Sequence, residues 1–153
     1  EQMKPELRAF PARGLFQTLS ERFAREAAQK HIHLSFDAPE TLQILADEEM
    51  IDRAIANFLT NALKHTPDAG EIRVSAATIA GKLRLAVYNS GSHLSREQME
   101  HVWDVFYTGE PGDRANGHGI GLAIVKSIAQ LHSGSVSAEN SADGVEFSML
   151  LPL

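Results

Sequence analysis

Apolar residues recur along this chain with two spacings, and the two spacings predict helices that alternate with strands. Positions three and four apart predict three long helices: residues 15–30, a segment that Asp47 is placed to cap, and residues 120–132. A shorter helix is expected over 95–105. Alternating patterns and turn residues predict strands over seven segments: 7–12, 32–36, 41–46, 71–78, 82–89, 135–139 and 145–151.

Most of these strands are separated only by short turns, so we expect three hairpins. The predicted partners are 32–36 with 41–46, 71–78 with 82–89, and 135–139 with 145–151. Hairpins that alternate with helices favour a mixed, mostly antiparallel sheet over a doubly wound parallel one. The predicted fold is a two-layer α/β sandwich of the α+β kind, with about three helices packed on one face of the sheet.

Composition narrows the class of protein. A length of 153 residues with 43% hydrophobic residues suits a single domain over residues 1–153, which we expect to be soluble and monomeric. There is no cysteine, so disulfides and thiolate metal sites are excluded. A net charge of −6 argues against a nucleic-acid partner, because duplex binding relies on clustered cations.

The predicted helix after Asp47 carries an unusual polar flank. Its apolar stripe predicts a buried face: Ala54, Ile55, Phe58, Leu59, Ala62 and Leu63. Asn57, Asn61, Lys64 and His65 fall together on a flank roughly 100° from the centre of that stripe. Asparagine is unfavourable inside helices, so two of them one turn apart suggest a binding role. Ordinary surface positions are the alternative.

Glycines open the last predicted helix. The run Gly117-His118-Gly119-Ile120-Gly121-Leu122 would let backbone N–H groups and the positive helix end approach an anion such as phosphate. It matches neither the P-loop pattern nor a dinucleotide fold, which needs a preceding strand. Close helix packing is the alternative explanation for these glycines.

Two further segments carry candidate chemistry. Residues 107–117 have no apolar periodicity, which predicts a mobile loop containing Tyr107 and Arg114. Arg114 is placed either to reach a terminal phosphate or to stay a solvated loop residue. Asn89-Ser90-Gly91 follows a predicted strand, where it is either an ordinary turn or the edge of a site.

Taken in order, these segments resemble the motifs of the ATP-binding catalytic domain of sensor histidine kinases. That superfamily also contains gyrase, heat-shock chaperone and mismatch-repair ATPases. The asparagine-rich helix resembles the asparagine box, Asn89-Ser90-Gly91 the first glycine box, Trp103 to Tyr107 the phenylalanine box, and the run from Gly117 the second glycine box. The resemblance covers residues 10–153 and implies a Bergerat-type ATP-binding fold.

The resemblance also implies roles for individual residues. Asn61 would bind Mg²⁺, Asn57 would support it, and His65 would pack beside adenine. Lys64 and Arg114 would balance phosphate charge and, with Asn57, form the catalytic group. The other positions implied to contact ATP are Asn89, Gly91, Tyr107, Gly117, His118, Gly119, Ile120, Gly121 and Leu122.

Asn89 departs from the family pattern, which usually has aspartate accepting a hydrogen bond from the adenine amine. The amide oxygen of Asn89 still accepts, but its NH₂ is an added donor that needs its own partner. On the sequence alone we expect adenine to bind with weaker base discrimination. Val145 also replaces the threonine of the family's closing motif, and no chemistry is assigned there.

The implied function is transfer of the γ-phosphoryl group of Mg²⁺-ATP to a histidine on the dimerisation helices of the same kinase. None of the seven histidines here has the context His-Glu-x-x-Thr-Pro, so the chain is expected to lack that domain. A response regulator would receive the phosphoryl group next. The resemblance places this domain in the cytoplasm, as part of a membrane-anchored sensor.

Two other classes of function are consistent with the same fold. One is a nucleotide-binding regulatory module, either an anti-sigma-type serine kinase or a catalytically silent docking domain. The other is a gyrase-like ATPase, which would need a carboxylate to activate water beside the asparagines. Ala56 and Thr60 occupy those positions, so hydrolysis is disfavoured. A zinc site at His31 and His33, expected on one side of a strand, lacks a third ligand.

Overall fold

The computed structural model describes residues 4–105 and 118–153. Eleven elements lie in these ranges: β1 (Arg8–Pro11), α1 (Ala12–Gln29), β2 (His33–Asp37), β3 (Gln43–Ala46), α2 (Glu48–His65), β4 (Glu71–Ile79), β5 (Lys82–Ser90), α3 (Arg96–His101), α4 (His118–Leu131), β6 (Ser135–Asn140) and β7 (Gly144–Pro152). In the described ranges no helix is long and apolar enough to cross a membrane.

The main sheet has five strands in the order β2-β4-β5-β7-β6. Only the β2–β4 pair is parallel, and the other three pairs are antiparallel. Two of the three predicted hairpins, β4–β5 and β6–β7, are present. With the helices on one side of this sheet, the predicted α+β sandwich is confirmed.

The third predicted hairpin is wrong. β3 does not pair with β2; it pairs antiparallel with β1 in a separate two-stranded sheet. The connection between β2 and β3 is drawn to the start of α1, where the Ala12 N–H donates to the Leu42 carbonyl at 3.0 Å and Arg13 donates to the Ala38 carbonyl. This connection therefore carries β3 away from β2, and among the strands in the described ranges β2 pairs only with β4.

The predicted apolar faces form the core. The α2 stripe is buried throughout, and so are the apolar α1 residues at helical spacing, Leu15, Leu19, Phe23 and Ala27. Phe58, Trp103 and Phe147 form an aromatic cluster with ring centroids 5.9–6.2 Å apart, close to edge-to-face for both Trp103 pairs. The buried stripe turns the polar flank of α2 toward the rim of the core.

Helix ends differ modestly from the predicted ones. A capping box formed by Ser95 and Gln98 starts α3, which ends at His101, well before residue 105.

β2 begins only at His33. His31 precedes it with a left-handed backbone (φ 56°), so the two histidines do not share a strand as expected. His31 lies 3.5 Å from Asp68 on the surface.

Candidate functional site

The polar flank of α2 contacts the glycine run at the start of α4. The Asn57 side-chain NH₂ donates to the Gly121 carbonyl at 3.2 Å, which joins residues 64 positions apart. A Cβ built on Gly121 would lie 3.9 Å from the Asn57 side chain, an ordinary contact distance. Packing of α4 on α2 therefore does not require glycine at this position, which weakens the packing explanation for Gly121.

The other end of α2 meets the end of β5. Gly91 has φ +85°, and a Cβ there would lie 2.5 Å from two ring carbons of Pro67, so only glycine fits. Pro67 directly follows the capping residue of α2, Thr66. This contact places the Lys64 end of α2 beside Asn89 and Gly91.

Asn89 is the most informative residue of the site. It is only 1% exposed, and its side-chain oxygen Oδ1 has no hydrogen-bond partner; no other buried side-chain atom in the described ranges lacks one. The Asn89 NH₂ donates to Ser92 Oγ at 3.0 Å and more weakly to the Ser90 carbonyl at 3.4 Å. An unpartnered buried acceptor costs about 1–3 kcal/mol, so this oxygen points to a ligand that carries a donor.

The remaining α2 residues have graded exposure. Asn57, Asn61 and Lys64 are half-buried, and His65 is exposed at the last turn. No hydrogen bond joins the Asn61 side chain to the part of the chain described here, so its carboxamide oxygen is available to a ligand. Mg²⁺ prefers oxygen ligands and takes few from protein when phosphates supply others. One carboxamide at this position fits such an ion.

The glycine run begins α4 as predicted. His118, Gly119 and Ile120 form its first turn, and their side chains lie outside the described residues, as do Tyr107, Arg114 and Gly117 entirely. The Leu122 side chain is buried in the core, so only the backbone of this residue could contact a ligand. The first turn of α4 contains no acidic residue, which favours an anion there.

Several residues that shape this site carry no clear signal in the sequence. Lys30 donates to the Leu63 and Thr66 carbonyls at 2.7 and 2.8 Å and fixes the end of α2 from 33 residues away. A Cβ on Gly144 would lie 2.0 Å from the Asn89 carbonyl oxygen, so this glycine allows β7 to approach Asn89. Neither of these long-range contacts is marked by a residue pattern in the sequence.

The start of α2 is fixed from two sides. The Asp47 side chain accepts from the Met50 N–H at 3.1 Å and from the Glu6 N–H at 2.9 Å, and the Glu6 bond is the main cause that lowers the pKa of the Asp47 carboxyl. The Asp47 N–H donates to Nε2 of buried His132, while His132 Nδ1 donates to the Ile128 carbonyl. These two contacts fix the orientation of the His132 ring at the start of α2.

Comparisons with known proteins identify the family of this chain. A family model described as "Histidine kinase-, DNA gyrase B-, and HSP90-like ATPase" matches residues 46–153. The sensor histidine kinase CusS of Escherichia coli O157:H7 is 36% identical over 132 residues, which are 85% of this chain and 27% of CusS. The chain thus spans about a quarter of the length of that relative.

Solved structures give the same result. The nucleotide-free catalytic domain of histidine kinase ThkA matches with a TM-score of 0.86 and 28% identity, covering 96% of this chain and 95% of that domain. ThkA in complex with response regulator protein TrrA matches with a TM-score of 0.82 and 26% identity, covering 97% of this chain and 42% of that chain. The chain therefore belongs to the histidine kinase-, DNA gyrase B- and HSP90-like ATPase family, as the catalytic, ATP-binding domain of a sensor histidine kinase.

Proposed function

We propose that this domain binds Mg²⁺-ATP between α2, the end of β5 and the start of α4, and that it donates the γ-phosphoryl group to a histidine on the dimerisation helices of its own kinase. The observation that carries this proposal is the buried, unpartnered oxygen of Asn89. It lies beside the Pro67–Gly91 contact at the end of α2, and the Asn57–Gly121 hydrogen bond links the same helix to the start of α4.

Each part of the site has a distinct task in this proposal. Asn89 accepts from the adenine amine, and Gly91 supplies the close turn beside it. Asn61 is the protein ligand for Mg²⁺, which supplies charge neutralisation on the phosphate oxygens when bound. Asn57 supports Asn61 and fixes the glycine run, and Lys64 balances phosphate charge. Catalysis here is mostly positioning, as expected for phosphoryl transfer.

The remaining assignments complete the proposal. We propose that His65 and Tyr107 cover the base and that Arg114 reaches the terminal phosphate. The run Gly117, His118, Gly119, Ile120, Gly121 and Leu122 offers backbone N–H groups to the phosphates. The partner that receives the phosphoryl group from histidine is a response regulator, and the full kinase is a membrane-anchored sensor with this domain in the cytoplasm. The isolated domain is a monomer.

The first test is ATP binding by calorimetry, with and without Mg²⁺, for the wild-type domain and Asn61→Ala. We expect Mg²⁺-dependent binding that Asn61→Ala weakens at least about 10-fold, since a direct metal ligand is lost. Thr60→Ala is the matched control. Thr60 is exposed on the same helix, with its hydroxyl bonded to the Ala56 carbonyl. Equal loss in both variants would contradict a metal role for Asn61.

The second test is phosphoryl transfer to a supplied histidine-bearing helical hairpin. The product is expected to be acid-labile and base-stable, as phosphohistidine is. Phosphate that is acid-stable would instead indicate a serine acceptor. ATP binding without any transfer would indicate a docking module.

A further inference from the structure

The hydroxyl of Ser92 accepts a hydrogen bond from the Asn89 side-chain NH₂ at 3.0 Å, beside the proposed nucleotide site. We infer that Ser92 is a specificity-determining positioning residue: it holds the Asn89 NH₂ away from the base, so that the neutral amide presents only an acceptor and selects a purine with an amine at C6. This inference rests on the proposed ATP site and assigns its base selectivity to a residue outside the motifs.

The orientation of the amide follows from its neighbours. The Ser90 carbonyl oxygen only accepts hydrogen bonds, so the atom of Asn89 that faces it must be the NH₂ nitrogen. The same NH₂ donates to Ser92 Oγ at 3.0 Å, the shorter of its two bonds. Both donors of the amide are engaged, and Oδ1 is left buried with no partner.

The loop that carries Ser92 is itself fastened to the β6–β7 turn. The Gly91 N–H donates to the Asp143 carbonyl at 2.8 Å, and the His93 ring donates to the Ser141 carbonyl at 2.7 Å. Asn140 clamps Leu94 by two bonds of 2.8 Å, one to its N–H and one to its carbonyl. Ser92 lies between these anchors, so its hydroxyl is positioned before any nucleotide arrives.

The backbone of Asn89 is equally fixed. Asn89 lies near the end of β5, the middle strand of the sheet, and is paired with Ile72 on one side and Val145 on the other. Only rotation of its own side chain could exchange the amide oxygen for the NH₂. Ser92 and Ser90 oppose that rotation, because it would bring the amide oxygen against the Ser90 carbonyl oxygen.

The consequence for base recognition differs from the expectation based on sequence alone. That expectation treated the Asn89 NH₂ as an added donor, and the structure gives this donor its own partners. An adenine amine meets an acceptor, whereas a keto oxygen at C6 meets the same acceptor and leaves both oxygens unpaired. A site built in this way rejects the keto purine strongly, and we expect a preference for ATP above about 100-fold.

The test compares ATP with inosine triphosphate, whose base has a keto oxygen at C6 and a hydrogen on N1 where adenine has an amine and an unprotonated N1. Affinities are measured by calorimetry for the wild type, Ser92→Ala and Ser92→Thr. In Ser92→Ala the amide is free to turn, so the ATP preference should fall at least about 10-fold, partly through tighter inosine nucleotide binding. Ser92→Thr keeps the hydroxyl and should keep most of the preference.

The same substitution in an Asn89→Asp variant tests whether Ser92 orients the amide or only stabilises the structure. Asn89→Asp has no NH₂ to orient, so adding Ser92→Ala to it should leave the preference unchanged. Ser92→Ala that weakens both nucleotides equally, or that lowers the preference as much in the Asn89→Asp background, would overturn the inference.

The ligand-free domain provides an independent readout. The side-chain amide protons of Asn89, followed by NMR, should exchange slowly in the wild type and faster in Ser92→Ala. If the Asn89 amide protons exchange slowly but the domain binds no ATP, the Ser92–Asn89 hydrogen bond is supported and the proposed nucleotide site is contradicted. ATP binding with rapid exchange in the wild type would contradict the role of Ser92 alone.

Discussion

The two ends of α2 are held in different ways. The N-terminal end is capped by the preceding residue, Asp47, whose carboxylate accepts hydrogen bonds from two backbone N–H groups. The C-terminal end is held by residues distant in sequence: the Lys30 ammonium donates to two of its carbonyls, and the Pro67 ring packs against Gly91. Only the C-terminal end lies at the candidate site. We therefore expect the N-terminal end to contribute to stability alone, and the C-terminal end to contribute to stability and to the proposed nucleotide binding.

Gly91→Ala should have the largest effect of the substitutions at the two ends of α2. The new methyl group would lie 2.5 Å from Pro67 in a backbone with φ +85°, so we expect a loss of about 2–4 kcal/mol of unfolding free energy and a marked loss of ATP affinity. Urea denaturation and calorimetry measure the two effects.

Gly81→Ala is the matched control for this substitution. Gly81 has a similar φ of +76°, but nothing lies within 4 Å of the added Cβ. Its expected cost is about 1 kcal/mol, from the backbone alone, with no change in ATP affinity. Equal costs at the two positions would show that the Pro67 contact is unimportant.

Lys30→Met should have the next largest effect. It keeps most of the side-chain volume but leaves the Leu63 and Thr66 carbonyls without the ammonium group, at an expected cost of about 1–3 kcal/mol. We expect weaker ATP binding as well, because Lys64 lies in the same last turn. Lys82→Met, at an exposed strand start, is the control. Unchanged ATP affinity in Lys30→Met would separate this end of α2 from the site.

Asp47→Ala should have the smallest effect, about 1 kcal/mol at neutral pH, with ATP affinity unchanged. The pKa of the Asp47 carboxyl is lowered from its ordinary value of 3.8, mainly by the Glu6 N–H. Its contribution to stability is therefore present above about pH 4 and is lost as the pH falls through the lowered pKa. Denaturation curves of the wild type and Asp47→Ala should converge in that acid range; a constant difference would contradict the role of the charge.

Local patterns predicted most of the fold, because they are read from neighbouring residues. The α2 stripe, the Asp47 cap and the β4–β5 hairpin all depend on residues close in sequence, and all three are confirmed. The pairing of β3 with β1 and of β2 with β4 depends on contacts between distant segments. A short turn between β2 and β3 carried no information about the hydrogen bond from Ala12 that redirects it.

The candidate site divides in the same way. Asn57 and Gly121 were singled out by residue type and spacing, and the structure brings them into contact. Ser92 and Lys30 act through single hydrogen bonds, and neither has a residue pattern that marks it. Which atom of Asn89 faces the pocket depended on the Ser90 carbonyl and the Ser92 hydroxyl, and no spacing rule supplies that.

The unpartnered oxygen of Asn89 also has a consequence for inhibitor chemistry. It offers an acceptor without a formal charge, where the usual family pattern offers a carboxylate. A neutral aminopyrimidine fragment needs only the acceptor and should bind either kind of pocket comparably. A cationic amidine gains most from a full negative charge, because charge-assisted hydrogen bonds are roughly twice as strong as neutral ones. Amidine compounds should therefore favour aspartate-bearing relatives over this kinase, and comparing the two fragment classes against both pockets would reveal that selectivity.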